Sequence, residues 1–355
     1  MSDSSKLRSL RRDEAYGYSP SVMVFLTTFK CSISCGDCCF KCSPQSEGEF
    51  PLPKLLRIIE RVPESFPTIK LVVFTGGECF LRGKDLLTVI RAATEKGLLT
   101  RCVTNGYWAT DDNTASEWAR ELKAAGLGDI NFSTGNEHQK YIPFERVAIG
   151  ARHCAEEGIN TLLVIEGHPG PVEFTEKQAR AHPLLTEFLR TEKGKNLDLL
   201  TAPWISTRDG RSAARKEPKC HGCEHVMETL VFTPDEHLLS CCGLTVSHIP
   251  EFDMGRIEDA SDVVEKYREQ CSDFLRLWLR VEGPMAILEY AVQKGADFAK
   301  AAPLVHPCEA CRAIFNEKSL RTVLEETYRE KIPEVLFRLQ LMERMRSGEA
   351  QRRRN

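Results

Sequence analysis

The chain reads as an α/β protein: a partial (β/α)6, TIM-like barrel followed by a smaller C-terminal domain and a helical extension. Three observations predict it. Between residues 22 and 203, short β-rich runs alternate with helix-period segments, which implies parallel strands joined by right-handed crossovers. The alternation yields six units, short of the eight of a closed barrel. The loops after the first four strand candidates carry polar side chains, at the sheet edge where active sites of parallel α/β folds gather.

The strand candidates are Val22–Thr28, Ile69–Thr75, Thr100–Thr104, Asp129–Ser133, Thr161–Glu166 and Asn196–Ala202. Leu55, Leu56, Ile58, Ile59 and Val62 form the apolar face of a first helix, started by Pro53 and stopped by Pro63. Leu86, Val89, Ile90 and Ala93 form a second, with Gly97 as its stop. A third helix covers about Thr114–Ala125 and ends at Gly126; a fourth covers about Phe144–Glu157 and ends at Gly158. Pro203–Lys219 reads as a linker, and Met227–Leu239 as a hairpin turning at Thr233-Pro-Asp-Glu236. A long charged helix is expected from about Lys318 to Arg346. The expected divisions are a frayed terminus over 1–20, a core over 21–205, a second domain over 206–315 and a C-terminal helix with a basic tail over 316–355.

The 355 residues are 42% hydrophobic with a net charge of −3, enough apolar material for a sizeable core and no global basic field to attract nucleic acid. The basic residues near the ends (Lys6, Arg8, Arg11, Arg12 and Arg352-Arg353-Arg354) read as solvated termini. No apolar run approaches the ~20 residues of a membrane span, and the polar N-terminus lacks the apolar segment of a signal peptide. A cytoplasmic protein is therefore expected. Its 15 cysteines then read as free thiols or metal ligands rather than disulfides.

Cys31, Cys35 and Cys38 follow the first strand with C-x3-C-x2-C spacing. Three thiols so close can hold one corner of a cubane iron–sulfur cluster and leave the fourth iron open to chelate a ligand. The usual run supplies four cysteines with different spacing. Gly76-Gly77-Glu78 follows the second strand, Asn105 the third and Ser133-Thr134 the fourth.

In these residues, over about 20–205, the chain resembles radical SAM enzymes. The resemblance implies that Cys31, Cys35 and Cys38 hold a [4Fe–4S] cluster whose open iron chelates S-adenosylmethionine (AdoMet). One electron then cleaves the sulfonium to methionine and a 5′-deoxyadenosyl radical, which abstracts a substrate hydrogen atom. It implies AdoMet contacts from Gly76, Gly77, Glu78, Asn105 and Ser133: close backbone approach for the glycines, a carboxylate for the α-ammonium, donor and acceptor from the amide. The family's aromatic residue before the third cysteine is Asp37 here, so Phe40 is the candidate adenine ring. Cys39 and Cys42 read as structural thiols, because a fourth thiolate would close the open iron.

Cys220-His-Gly-Cys223, Cys241-Cys242 and Cys308-Glu-Ala-Cys311 form a second cysteine group. It is similar to the auxiliary-cluster domains of SPASM and Twitch type, although Glu236 stands where those have Gly. One auxiliary [4Fe–4S] cluster on Cys223, Cys241, Cys308 and Cys311 is expected; structural zinc is the alternative. Cys242 and Cys220 remain as candidate hydrogen-atom donors of the kind peptide epimerases need, or as ordinary buried thiols. Gly210-Arg211-Ser212-Ala213 resembles the stretch joining core and auxiliary domains, or is a surface loop. His138 reads as a helix-start residue near the active-site mouth. Cys79, Cys102, Cys154 and Cys271 read as core.

The expected function is modification of a ribosomally synthesised peptide by epimerisation or crosslinking. The alternatives are oxidation of a small molecule in natural-product biosynthesis, or a zinc-binding or electron-transfer protein without catalysis. The implied partners are a flavodoxin- or ferredoxin-type reductant and a peptide. About twenty residues precede the first strand, too few for a peptide-recognition domain, so a separate recognition protein or direct groove binding is expected.

Overall fold

The computed structural model describes residues 19–167, 174–203, 205–206, 221–298 and 304–352, with backbone only over 346–352. Cys220, Gly210–Ala213 and most of the predicted linker lie outside the described residues. The barrel half comprises β1 (Val22–Leu26), α1 (Leu52–Ser65), β2 (Leu71–Thr75), α2 (Lys84–Glu95), β3 (Leu99–Thr104), α3 (Asp112–Ala125), β4 (Asp129–Thr134), α4 (Phe144–Glu156) and β5 (Asn160–Glu166). Short helices α5 (Glu176–Arg180) and α6 (Pro183–Thr186) lead to β6 (Leu197–Ala202). Strands β7 (Thr229–Phe232), β8 (His237–Leu239) and β9 (Asp253–Arg256) follow. Helices α7 (Ala260–Gln270), α8 (Phe274–Val281), α9 (Gly283–Gln293), α10 (Pro307–Asn316), α11 (Lys318–Thr327) and α12 (Ile332–Arg352) complete the chain.

All strands join one sheet in the order β6-β5-β4-β3-β2-β1-β7-β8-β9. The first six are parallel in sequence order, the arrangement of a partial (β/α)6 barrel. β7 then pairs in parallel with β1, Val22 opposite Thr229 and Phe25 opposite Phe232. The C-terminal hairpin thus extends the barrel sheet instead of building its own.

Alternation along β1 sets the two faces. Met23 and Phe25 enter the main core with the helices, where Phe25 stacks on Phe232 at 4.6 Å and meets the edge of Phe50 at 5.7 Å. Val24 and Leu26 point the other way, into a second cluster with Val231. Cys79, Cys102, Cys154 and Cys271 are buried in the main core.

Two local expectations are corrected. α1 passes through Pro63 and ends at Ser65, because a proline in the last turn removes one backbone bond without preventing the final residues from winding. The single helix expected over 318–346 is two, α11 and α12, separated by a 3-10 turn at Tyr328–Lys331. Pro333 has no N–H to continue the ladder, and buried Tyr328 packs 5.8 Å from Phe274 at the break. Glu236 lies in the turn between β7 and β8. It adopts φ +67°, the left-handed conformation that favours Gly and costs other residues ~1–2 kcal/mol. Its carboxylate offsets that cost by bonding buried Lys54 and, at 2.9 Å, Arg256.

Candidate active site

Loops from the carboxyl ends of β1 to β4 lock together before any ligand is considered. Gly77 N–H donates to Thr28 O at 2.7 Å and Glu78 N–H to Lys30 O at 3.0 Å. A Cβ on Gly76 would lie 2.5 Å from Thr28 O, and one on Gly77 2.2 Å from Lys30 O. The paired glycines are therefore required by the backbone of the cysteine loop itself. Cys31 Sγ sits 3.3 Å from Gly77 O as a result.

Glu78 is placed differently from the sequence expectation. Its carboxylate is 1% exposed and lies behind the cavity wall. Oε1 accepts from Thr104 Oγ1 at 2.9 Å and Phe80 N–H at 3.1 Å; Oε2 accepts from Asn105 N–H at 2.8 Å. Burial pushes its pKa up to about 7 against these donors. With its oxygens engaged, the carboxylate clamps the β3 loop to the β2 loop rather than facing a ligand. Asn105 passes the constraint on: Nδ2 donates to Ser32 Oγ at 3.0 Å and approaches Cys31 Sγ at 3.6 Å.

One cavity of about 290 Å³ is lined by Cys31, Cys35 and Cys38 together with Gly76, Gly77 and Asn105. Ser133 and Phe40 also line it, and Phe40 packs against the inner cluster of Val24, Leu26 and Val231. A hydrogen bond with the Cys42 thiol lowers the Cys38 thiol to about 6. Burial pushes Cys31 up to about 12. Three free cysteines around one cavity form a donor set that fits a cluster with one iron left open.

Two more residues of this cavity were not among the predicted ligand contacts. His138, expected as a helix start, opens a 3-10 turn at His138–Lys140 and also faces the cavity. Glu166, at the end of β5, bonds its Nδ1 at 2.8 Å. Burial lowers the His138 pKa, but bonds to Cys35 and Glu166 outweigh it and push it up to about 10. A carboxylate closing an otherwise apolar strand was the available signal for Glu166. Thr134 Oγ1 also lines the cavity, buried and without a hydrogen-bond partner.

The second cysteine group converges on a neighbouring cavity of about 700 Å³, lined by Cys223, Cys241, Cys308 and Cys311. Cys308 and Cys311 sit in the first turns of α10, whose start is capped by His306 with Cys308 N–H donating to Nδ1 at 3.1 Å. Gly243 N–H donates to Cys241 Sγ at 3.1 Å, and a Cβ there would lie 3.1 Å from Cys308 Sγ and 3.2 Å from Cys241 Sγ. Burial raises Cys241, Cys308 and Cys311, and the neighbouring thiols add to it. All four are free. Such a set ionises together only around a positive centre, so the donors fit an auxiliary cluster. Among the described residues, no group of three His, Cys, Asp or Glu is arranged to hold a single metal ion.

Cys242 turns away from its neighbour. It packs against the inner cluster of Val24, Leu26 and Val231, with His225 Nδ1 at 3.6 Å from its sulfur. Burial pushes its thiol up to about 11. Burial pushes the Cys39 thiol up to about 12, and the nearby Cys38, Cys242 and Cys308 add to the rise.

No protein-family model matches the chain. Among solved structures, the fold is similar to "Native anSMEcpe with bound AdoMet and Cp18Cys peptide", with a TM-score of 0.50 and 14% identity over 90% of this chain and 98% of that one. "Native anSMEcpe with bound AdoMet" aligns at a TM-score of 0.50 and 14% identity, over 89% of this chain and 98% of that one. The architecture is thus shared with these structures: a partial (β/α) barrel followed by a C-terminal region with helices. In sequence, the chain is 24% identical over 128 residues to the "Putative peptide biosynthesis protein YydG" of Bacillus subtilis (strain 168). That match covers 35% of this chain and 39% of the relative, so it spans about two fifths of the relative's length.

Proposed function

We propose that the protein is a radical SAM enzyme that modifies a ribosomally synthesised peptide. The observation that carries this reading is the shared cavity of Cys31, Cys35, Cys38, Gly76, Gly77 and Asn105 at one sheet edge. Cys31, Cys35 and Cys38 would hold a [4Fe–4S] cluster there, which would supply the one electron for reductive cleavage of AdoMet to methionine and a 5′-deoxyadenosyl radical. The chain's own work is positional. Gly77 and Asn105 fix the Cys31 loop, Glu78 fixes Asn105, and Phe40 with the inner apolar cluster keeps water from the barrel. The peptide as substrate class is supported by the peptide bound to anSMEcpe and by the name of the Bacillus relative.

Epimerisation is the specific reaction favoured by Cys242. In that reaction the substrate α-hydrogen would be lost to the deoxyadenosyl radical and leave in 5′-deoxyadenosine. Cys242 would then give the hydrogen atom of its S–H to the α-carbon radical, with inversion at that carbon. A thiyl radical remains, which one electron and one proton from a flavodoxin- or ferredoxin-type reductant restore. The role needs a neutral thiol near the barrel interior; the packing of Cys242 against Val24, Leu26 and Val231 and the upward push of burial on its thiol support it. Cys223, Cys241, Cys308 and Cys311 would hold the auxiliary cluster, and the setting is cytoplasmic.

The test is anaerobic turnover with dithionite, AdoMet and candidate peptides in D2O. Wild type should release 5′-deoxyadenosine and place one deuterium on the inverted residue. Cys242→Ala should still cleave AdoMet but give no inverted product; normal inversion by that variant sinks the donor role. Absence of 5′-deoxyadenosine from iron-loaded wild type sinks the enzyme class.

A further inference from the structure

We propose that the outer edge of β6 takes an extended segment of the peptide substrate as an added strand and leads it to the cavity of Cys31, Cys35 and Cys38. The inference rests on the functional reading above and deepens it, by naming where the substrate backbone is held.

β6 ends the sheet, and among the described residues no strand pairs with its outer side. The register fixes which groups face outward. Gly167 N–H donates to Ala202 O at 2.8 Å, so Ala202 points its backbone groups at β5. Alternation along the strand then turns the N–H and C=O of Leu199 and Thr201 away from β5. Both ends of this edge are blunted against indiscriminate pairing: Asp198 is exposed, and Pro203 has no N–H to offer.

The cavity of about 700 Å³ lies along that edge. Leu199, Leu200, Thr201, Ala202 and Pro203 all line it, as do residues 221–226. Side chains of consecutive strand residues point to opposite faces. An unbroken run of lining residues therefore sets the backbone edge itself, not one face of the strand, against the cavity. Ala202 and Pro203 also line the cavity of the cysteine triplet, so the two cavities meet at the carboxyl end of β6.

A row of outward donors and acceptors recognises an extended peptide backbone and makes little demand on its side chains. At ~3.3 Å per residue, the edge from Leu199 to Pro203 matches about five residues of substrate. The residues held there lie to one side of the residue that enters the cysteine-triplet cavity. Recognised segment and modified residue are thus separate parts of the substrate.

The probe is a pool of random-sequence decapeptides, retained on the anaerobic, iron-reconstituted full-length chain, identified by mass and resynthesised. Deuterium uptake at the Leu199 and Thr201 amides should slow on binding. N-methylation of the peptide, one residue at a time, should weaken affinity about tenfold at alternate positions and little between them, as loss of single backbone hydrogen bonds requires. Thr201→Pro, which removes an outward N–H from an edge strand, should weaken the parent peptide by a similar factor. Thr201→Val, which keeps that N–H, should bind as wild type. Retention of no peptide, unchanged uptake at Leu199 and Thr201, or N-methyl losses without alternation overturns the inference. An iron-loaded wild type that binds peptide in this way yet releases no 5′-deoxyadenosine overturns the functional reading and leaves the binding mode standing, so the two failures are distinguishable.

Discussion

Glu78 accepts the backbone N–H of Asn105 at 2.8 Å and thereby sets the β3 loop against the loop that carries Cys31. Glu78→Ala leaves the donors of Thr104, Phe80 and Asn105 without their buried acceptor. The expected cost is about 2–4 kcal/mol of stability, together with weaker AdoMet binding as Asn105 loosens. Chemical denaturation and equilibrium binding on the same preparations check both.

The same carboxylate predicts a pH dependence. Its folded pKa of about 7 lies above its ordinary value of 4.5, so the native state holds a proton that the unfolded state has released. Stability from this group is present below about pH 4.5 and is lost as pH rises through about 7. The difference in stability between wild type and Glu78→Gln should therefore shift in favour of Gln over that window. A difference independent of pH contradicts the assignment.

Cys38 and Cys242 should behave oppositely toward an alkylating reagent in the iron-free chain. With Cys38 near 6 and Cys242 near 11, labelling of Cys38 should be largely developed by pH 7, whereas Cys242 should react only well above it. Cys42→Ala should raise the Cys38 midpoint, because the Cys42 thiol is the main cause of its depression. Mass-spectrometric rates across pH read each site separately.

Gly243→Ala should selectively remove the auxiliary iron. The added methyl would lie 3.1 Å from Cys308 Sγ and 3.2 Å from Cys241 Sγ, closer than two thiolates around a cluster can tolerate. Iron per chain should fall from about eight to about four, with the AdoMet-responsive EPR signal retained. Full iron content in this variant contradicts the four-cysteine assignment.

Much of the barrel was legible because strand alternation and helix faces are local signals. β4 begins at Asp129 and β5 ends at Glu166, as their apolar patterns imply. The cysteine triplet and paired glycines were legible as motifs, but Glu78's role was not: a carboxylate between loops has the same spacing as one facing a ligand. The parallel pairing of β7 with β1 was hidden too, since it joins residues more than two hundred positions apart. His138 and Glu166 carry separate, ordinary local signals, and only the β4–β5 register brings them together. The break before α12 was foreshadowed by Pro333, whose effect a charged helical pattern obscured.

The most direct test is an anaerobic reaction of the iron-reconstituted chain with dithionite and AdoMet, with 5′-deoxyadenosine quantified beside total iron, for wild type and Cys35→Ala. Wild type should contain about eight irons and release 5′-deoxyadenosine. Cys35→Ala should keep about four irons and release none. Equal release from both proteins, or an iron-loaded wild type that leaves AdoMet intact, contradicts the assignment of Cys31, Cys35 and Cys38 as the reaction centre.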